Sequence, residues 1–249
     1  MFPYKDENPT FLTPVVTLVI IGINVMVWLL VQGAGTAPAL PRSVCELGLI
    51  PGELLGLVPP GHTIPVGRGV ACVLTDQPSY VTPLTSMFLH GGWFHLIGNL
   101  WFLWVFGNNI EDAMGHGRFV AFYLLCGLVA AAAQVAGEPA SAVPMVGASG
   151  AISGVMGAYL VLYPRVRVHT IVFLGFFLFR WTLPAYVMLL YWMLIQVVGS
   201  LPSLAGGQAG GGVAFLAHIG GFVAGVALIK LFAKPEFVAR HRRPVIVPE

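Results

Sequence analysis

Apolar residues run through this chain in blocks of helical length, separated by shorter polar or Gly- and Pro-rich stretches. A helix needs roughly 20 mostly apolar residues to cross a hydrocarbon core of about 30 Å. Six blocks approach that length, at about 11–32, 86–107, 118–137, 147–163, 183–200 and 212–233. Pro14 and Pro184 fall one turn inside their blocks, where a missing N–H is tolerated. The longest polar insertion is the loop 33–85, in which Glu46 to Leu57 is compatible with helix. Val168 to Phe179 is apolar but only 12 residues long before Arg180, a length that suggests a re-entrant or interfacial segment. A tail, 234–249, follows the last block. The pattern predicts an all-α membrane protein, one domain over 1–249 built as a bundle of six transmembrane helices.

Composition and charge sharpen that expectation. The 249 residues are 57% hydrophobic and 9% charged, whereas a soluble domain carries about a quarter charged residues. With six spans, one side of the membrane would hold Lys5, Arg118, Arg165, Arg167, Arg180, Lys230, Lys234, Arg240, Arg242 and Arg243, and the other only Arg42 and Arg68. A ten-to-two split predicts cytoplasmic termini and an outward-facing loop 33–85. No basic run suggests nucleic acid. Cys45, Cys72 and Cys126 make no zinc pattern, and no metal or cofactor is implied. Cys45 and Cys72 share the outer loop, where either a disulfide or two free thiols would fit. Phe11 to Gln32 is too long for a signal-peptide core and reads as a retained span.

Candidate chemistry sits where lipid makes polar groups costly, and such groups usually face the interior of a bundle. His95 and Asn99 are four apart on one face of the second block. Ser149 opens the fourth, and His218 lies near the start of the sixth. The topology above brings all four to the outer half of the bilayer. Gly150 and Gly154 on the fourth block, and Gly221 and Gly225 on the sixth, make small faces that let two backbones approach. Such an approach would bring the Ser149 hydroxyl within reach of an imidazole base. At 17 residues the fourth block is short, which would start it below the outer surface and let water follow to Ser149. Taken singly, a membrane Ser or His is more often packing glue; four such groups at one depth are harder to obtain from packing. No Asp or Glu lies within the fourth or sixth block, so a Ser–His dyad rather than a triad is expected. A transporter would show an inverted repeat or acidic residues on an ion path, and neither is found.

Four motifs then occur in order: His90-x4-His95-x3-Asn99, Glu111-x3-Gly115, Gly147-Ala148-Ser149-Gly150, and His218-x2-Gly221-x3-Gly225. In these the chain resembles the rhomboid intramembrane proteases, from about residue 10 to 233. The resemblance implies a serine endopeptidase cutting single-span or multi-span membrane proteins within the bilayer, Ser149 as nucleophile and His218 as general base. His95, Asn99 and the Ser149 N–H would form the oxyanion hole; His90, Glu111 and Gly115 would be structural. It also implies helix-weakened substrate segments with a small residue at the cut. The setting expected is a bacterial inner membrane, and the Gly-rich loop 201–212 is expected to be a movable cover. The alternative within the family is an inactive client-binding protein, which would have lost Ser or His. Two departures stand out. Val81-Thr82 replaces the Trp-Arg of many bacterial members, and Ser153 replaces a Tyr that some members stack on the catalytic His.

Overall fold

The computed structural model describes residues 2–67, 70–75, 78–174, 177–204 and 213–241. Each of the six apolar blocks carries a helix. They are α1 (Val15–Met26), continued by a π turn at Val27–Val31, α5 (Trp93–Met114), α6 (His116–Gly137), α7 (Ser149–Leu162), α8 (Ala185–Leu204) and α9 (Phe215–Phe232). Among the described residues three helices, His116–Gly137, Ala185–Ser203 and Phe215–Phe232, are long and apolar enough to cross a membrane, and Val15–Val31 and Ser149–Leu162 are shorter apolar helices. The first helix turns polar residues inward and many apolar ones outward. On the first helix Thr17, Asn24 and Gln32 are buried while Leu18, Val19, Ile23, Met26 and Leu30 are exposed. Apolar side chains turned outward with the polar ones held inside is the arrangement that lipid as solvent selects.

Several boundaries differ from the sequence pattern. Pro14 caps α1 instead of lying inside it, and Pro184 ends a strand just before α8. The second helix starts at Trp93 rather than 86, after a short α4 (Thr82–Thr85) and a 3-10 turn at Ser86–Phe88. It runs on to Met114, because Glu111 and Asp112 find partners there. Glu111 accepts the N–H groups of Val16 (2.8 Å) and Thr17 (2.8 Å) and the Thr17 hydroxyl (2.7 Å), which satisfies the free N-terminus of α1. Asp112 accepts the N–H groups of Phe11 and Leu12 at 2.6 and 3.2 Å. Gly115 then turns the chain into α6 at φ +81°, a conformation glycine adopts without steric cost.

The described part of the segment Val168 to Phe179 belongs to a strand pair. β4 (Arg167–Leu174) and β5 (Phe177–Pro184) pair antiparallel, and β1 (Phe2–Asp6) adds to β4, giving the order β1-β4-β5. Val168, Thr170 and Val172 are buried and alternate with more exposed residues, the period-2 pattern of a strand. In the outer loop the helices are α2 (Ala39–Leu47) and α3 (Pro51–Leu54), broken at Gly48, followed by the hairpin of β2 (Thr63–Gly67) and β3 (Val70–Val73). A disulfide joins Cys45 of α2 to Cys72 of β3, their Cα atoms 5.3 Å apart. A last helix, α10 (Pro235–His241), packs back on α5.

α7 is the axis of the bundle: all ten residues from Gly150 to Tyr159 are buried. Its close neighbours are α9, α6 and α5. A Cβ on Gly221 would overlap the carbonyl oxygen of Gly150, and one on Gly225 that of Gly154, so the α7–α9 contact is backbone against backbone. Gly150 and Gly154 themselves turn their open side to Ala130 and Cys126 of α6.

Candidate active site

Ser149 is the first residue of α7, directly after the turn Gly147–Ala148. Gly147 has φ +132°, and its N–H donates to the Ser86 carbonyl at 2.9 Å, which fixes where α7 begins. His218 lies in the first turn of α9, where the Gln134 side chain of α6 accepts the Ala217 N–H at 3.3 Å. Close approach of α7 and α9 leaves His218 Nε2 at 2.7 Å from Ser149 Oγ. The two face a cavity of about 800 Å³ that also reaches His95, Asn99, Gly147 and Gly150. Much of its remaining wall is apolar, including Met87, Met145 and Val213.

His95 and Asn99 project into this cavity from the start of α5. The Gly91 N–H donates to His95 Nδ1 at 3.2 Å, so the ring proton is assigned to Nε2. That nitrogen looks across Gly147 towards the serine. A Cβ on Gly147 would stand 2.7 Å from His95 Nε2 and 3.5 Å from Ser149 Oγ. The Asn99 amide nitrogen is buried and has no hydrogen-bond partner among the described residues. Two N–H donors and the first N–H groups of α7 therefore border the space beside the Ser149 hydroxyl. Helix N-termini leave those groups without intrahelical acceptors.

The other motif residues stand outside the reacting geometry. His90 is fully buried, its ring edge-to-face with His95 at 5.2 Å, and its backbone is gripped at both N–H and C=O by Gln32, each bond 2.8 Å. Glu111 and Gly115 lie at the opposite end of α5, and Gly221 and Gly225 form the α9 contact. Val81 is exposed, and Thr82 opens α4. Residues 205–212 of the Gly-rich loop lie outside the described residues, as do Arg68, Arg242 and Arg243; 201–204 continue α8.

Two residues at the site were missed by sequence reasoning. Gln196 of α8 places Oε1 at 2.8 Å from His218 Nδ1. Trp192, one turn earlier, sets its ring 5.7 Å from the His218 ring, tilted by 38°. An acidic residue is the usual orienting third group, and the fourth and sixth blocks hold none. Gln196 is an amide on a largely apolar helix, a signal that the cost of polar groups in lipid could have raised.

The rhomboid domain profile matches residues 77–235, more than half of the chain. The human presenilin-associated rhomboid-like protein, mitochondrial, is 36% identical over 98 residues, covering 39% of this chain and 26% of its own. Rhomboid protease GluP of Bacillus subtilis (strain 168) is 42% identical over 87 residues, 35% of this chain and 17% of its own. Rhomboid-like protein 11, chloroplastic, of Arabidopsis thaliana is 29% identical over 161 residues, 63% of this chain and 54% of its own. The chain thus spans about a quarter of the length of the mitochondrial relatives it matches. With its helical bundle, apolar exterior and matched domain, it is a membrane protein that belongs to the rhomboid family.

Proposed function

We propose that this chain is an intramembrane serine endopeptidase that hydrolyses peptide bonds in or near the membrane-spanning segments of other proteins. The observation that carries the reading is the 2.7 Å contact of His218 Nε2 with Ser149 Oγ inside a cavity bordered by unengaged N–H donors. Attack of Ser149 Oγ on a substrate carbonyl passes the hydroxyl proton to His218 Nε2 and forms a tetrahedral intermediate. Its oxyanion is held by Asn99 Nδ2, His95 Nε2 and the Ser149 N–H. Preorganised donors are effective there because little water competes. His218 then gives the proton to the leaving amine, and water activated by the same imidazole releases the acyl-enzyme. The relative GluP carries the word protease in its name. An inactive family member would have lost Ser or His, and this chain keeps both within hydrogen-bond distance.

The membrane proposed is a bacterial inner membrane with both termini cytoplasmic and six spans. The ten-to-two charge split supports that orientation. The direct test is incubation of detergent-purified protein with a single-span substrate. Wild type is expected to release two fragments, and Ser149→Ala and His218→Ala none, while both variants stay folded. Cleavage surviving in either purified variant would overturn the dyad.

A further inference from the structure

His218 has two ring nitrogens, and only one arrangement of its proton lets it act on Ser149. The nitrogen facing the serine must be a free acceptor, so the proton of the neutral ring must sit on Nδ1. In soluble serine proteases a buried carboxylate enforces this. No acidic residue contacts His218 among the described residues; the group at Nδ1 is the Gln196 carboxamide, Oε1 to Nδ1 2.8 Å. An amide can present either end, but here its other end is engaged. Gln196 Nε2 donates to the Trp192 carbonyl at 3.3 Å, one turn back on α8, which leaves Oε1 facing the ring. Gln196 is 6% exposed, so water cannot readily replace it.

We propose that Gln196 is a positioning residue whose side-chain carbonyl holds His218 in the Nδ1–H tautomer, with Trp192 steadying the ring from the same helix. The proposal rests on the protease reading and adds to it a third member that carries no charge. It also makes α8 part of the site. Ser149 and His218 come from α7 and α9, which are joined through backbone contact, whereas the group that sets the proton comes from α8, whose Leu190, Leu194 and Val198 are exposed. The base is correctly set only while α8 is docked.

Three proteins decide the matter: wild type, Gln196→Met, which keeps the length and removes the acceptor, and Gln196→Glu, which restores one. Tautomers are read from long-range ¹H–¹⁵N spectra of histidine-labelled protein without substrate, the His218 signals being assigned by their loss in His218→Ala. Wild type is expected in the Nδ1–H form and Gln196→Met in a mixture with Nε2–H. The Met variant should lose about tenfold or more in kcat with KM within about twofold and an unchanged melting temperature. Gln196→Glu should keep the Nδ1–H form and recover most of kcat. A Met variant that retains the wild-type tautomer or turnover overturns the proposal, as does a Glu variant no better than Met. Should Gln196→Met not fold, the shorter Gln196→Asn, which withdraws the carbonyl, takes its place with the same two readouts. Absence of cleavage by wild type would count against the protease reading alone, since the tautomer comparison needs no turnover.

Discussion

Asn99 turns a buried amide N–H towards the cavity, without a partner among the described residues, a costly arrangement unless something else uses it. If a substrate oxyanion is what it meets, Asn99→Ala should lower kcat by about 10²–10³-fold. The melting temperature should barely move, because truncation of the side chain leaves no new buried group unpaired at its nitrogen. His95→Ala should behave similarly in rate. Near-normal turnover together with early melting in both variants would make the pair structural, and the oxyanion would then rest on backbone N–H groups alone. Ser153 contributes in a different way: its hydroxyl donates to the Ser149 carbonyl at 2.6 Å, within the same helix and away from the reacting atoms.

Between elements, the distance from Ser149 to His218 is set by glycine. A methyl group on Gly221 has no room against the Gly150 carbonyl, one residue from Ser149. Gly221→Ala should therefore force α9 away from α7, destabilise by about 1–3 kcal/mol, and lower kcat although Ser149 and His218 are intact. Wild-type rates in that variant would show that the contact can relax without moving the dyad. The sheet makes a second joint. Asp6 at the end of β1 accepts the Tyr159 hydroxyl of α7 at 2.5 Å, and burial pushes its carboxyl up to about 6 from 3.8. A raised acid holds its proton better in the folded state. Its contribution is fully present below pH 4 and is lost as pH rises through 6, where ionised Asp6 is held at a cost. Asp6→Asn, which keeps an acceptor for Tyr159 and cannot ionise, should raise the melting temperature at pH 7.5 and change it little at pH 4. An equal effect at both would refute a titrating Asp6.

Across the whole molecule, cations gather at one end of the bundle and the cavity opens at the other. The Arg118 guanidinium donates to the Phe232 carbonyl at 3.1 Å, the Lys234 N–H to the Ala113 carbonyl at 2.9 Å, and Lys5 pairs across the sheet with His169. The ends of α5 and α9, the start of α6, and β1 and β4 thus meet at one pole, away from Ser149. A reporter fused after Glu249 should read cytoplasmic, and one inserted at the exposed turn near Gly61 should read external. Both on one side would mean an even number of crossings between Gly61 and Glu249 instead of five, and a reversed pattern would mean that the charge bias does not orient the chain.

The six helical blocks and the polar residues set among them were legible because they depend on local quantities: the length of an apolar run, the spacing that puts residues on one helical face, and the cost of a polar group in lipid. The glycine faces were legible too, but not their partners: Gly150 and Gly154 open onto Ala130 and Cys126 of α6 while Gly221 and Gly225 press on the carbonyls of Gly150 and Gly154. What the chain order could not reveal depended on residues far apart meeting. Pro14 caps α1 because Glu111, almost a hundred positions on, accepts the N–H groups of the helix that follows it. Val168 to Phe179 becomes strand because β1 arrives to pair with it and its β-branched residues alternate in burial. Cys45 and Cys72 bond because α2 and the β2–β3 hairpin pack together. Gln196 meets His218 only where α8 leans on α9, and a neutral amide carries no pattern that marks it as a partner for a histidine before the fold supplies the ring. Sequence determined which groups lipid would force inward; only tertiary structure decided which of them would touch, because a hydrogen bond needs positions to within a few tenths of an ångström and helical periodicity fixes only a face.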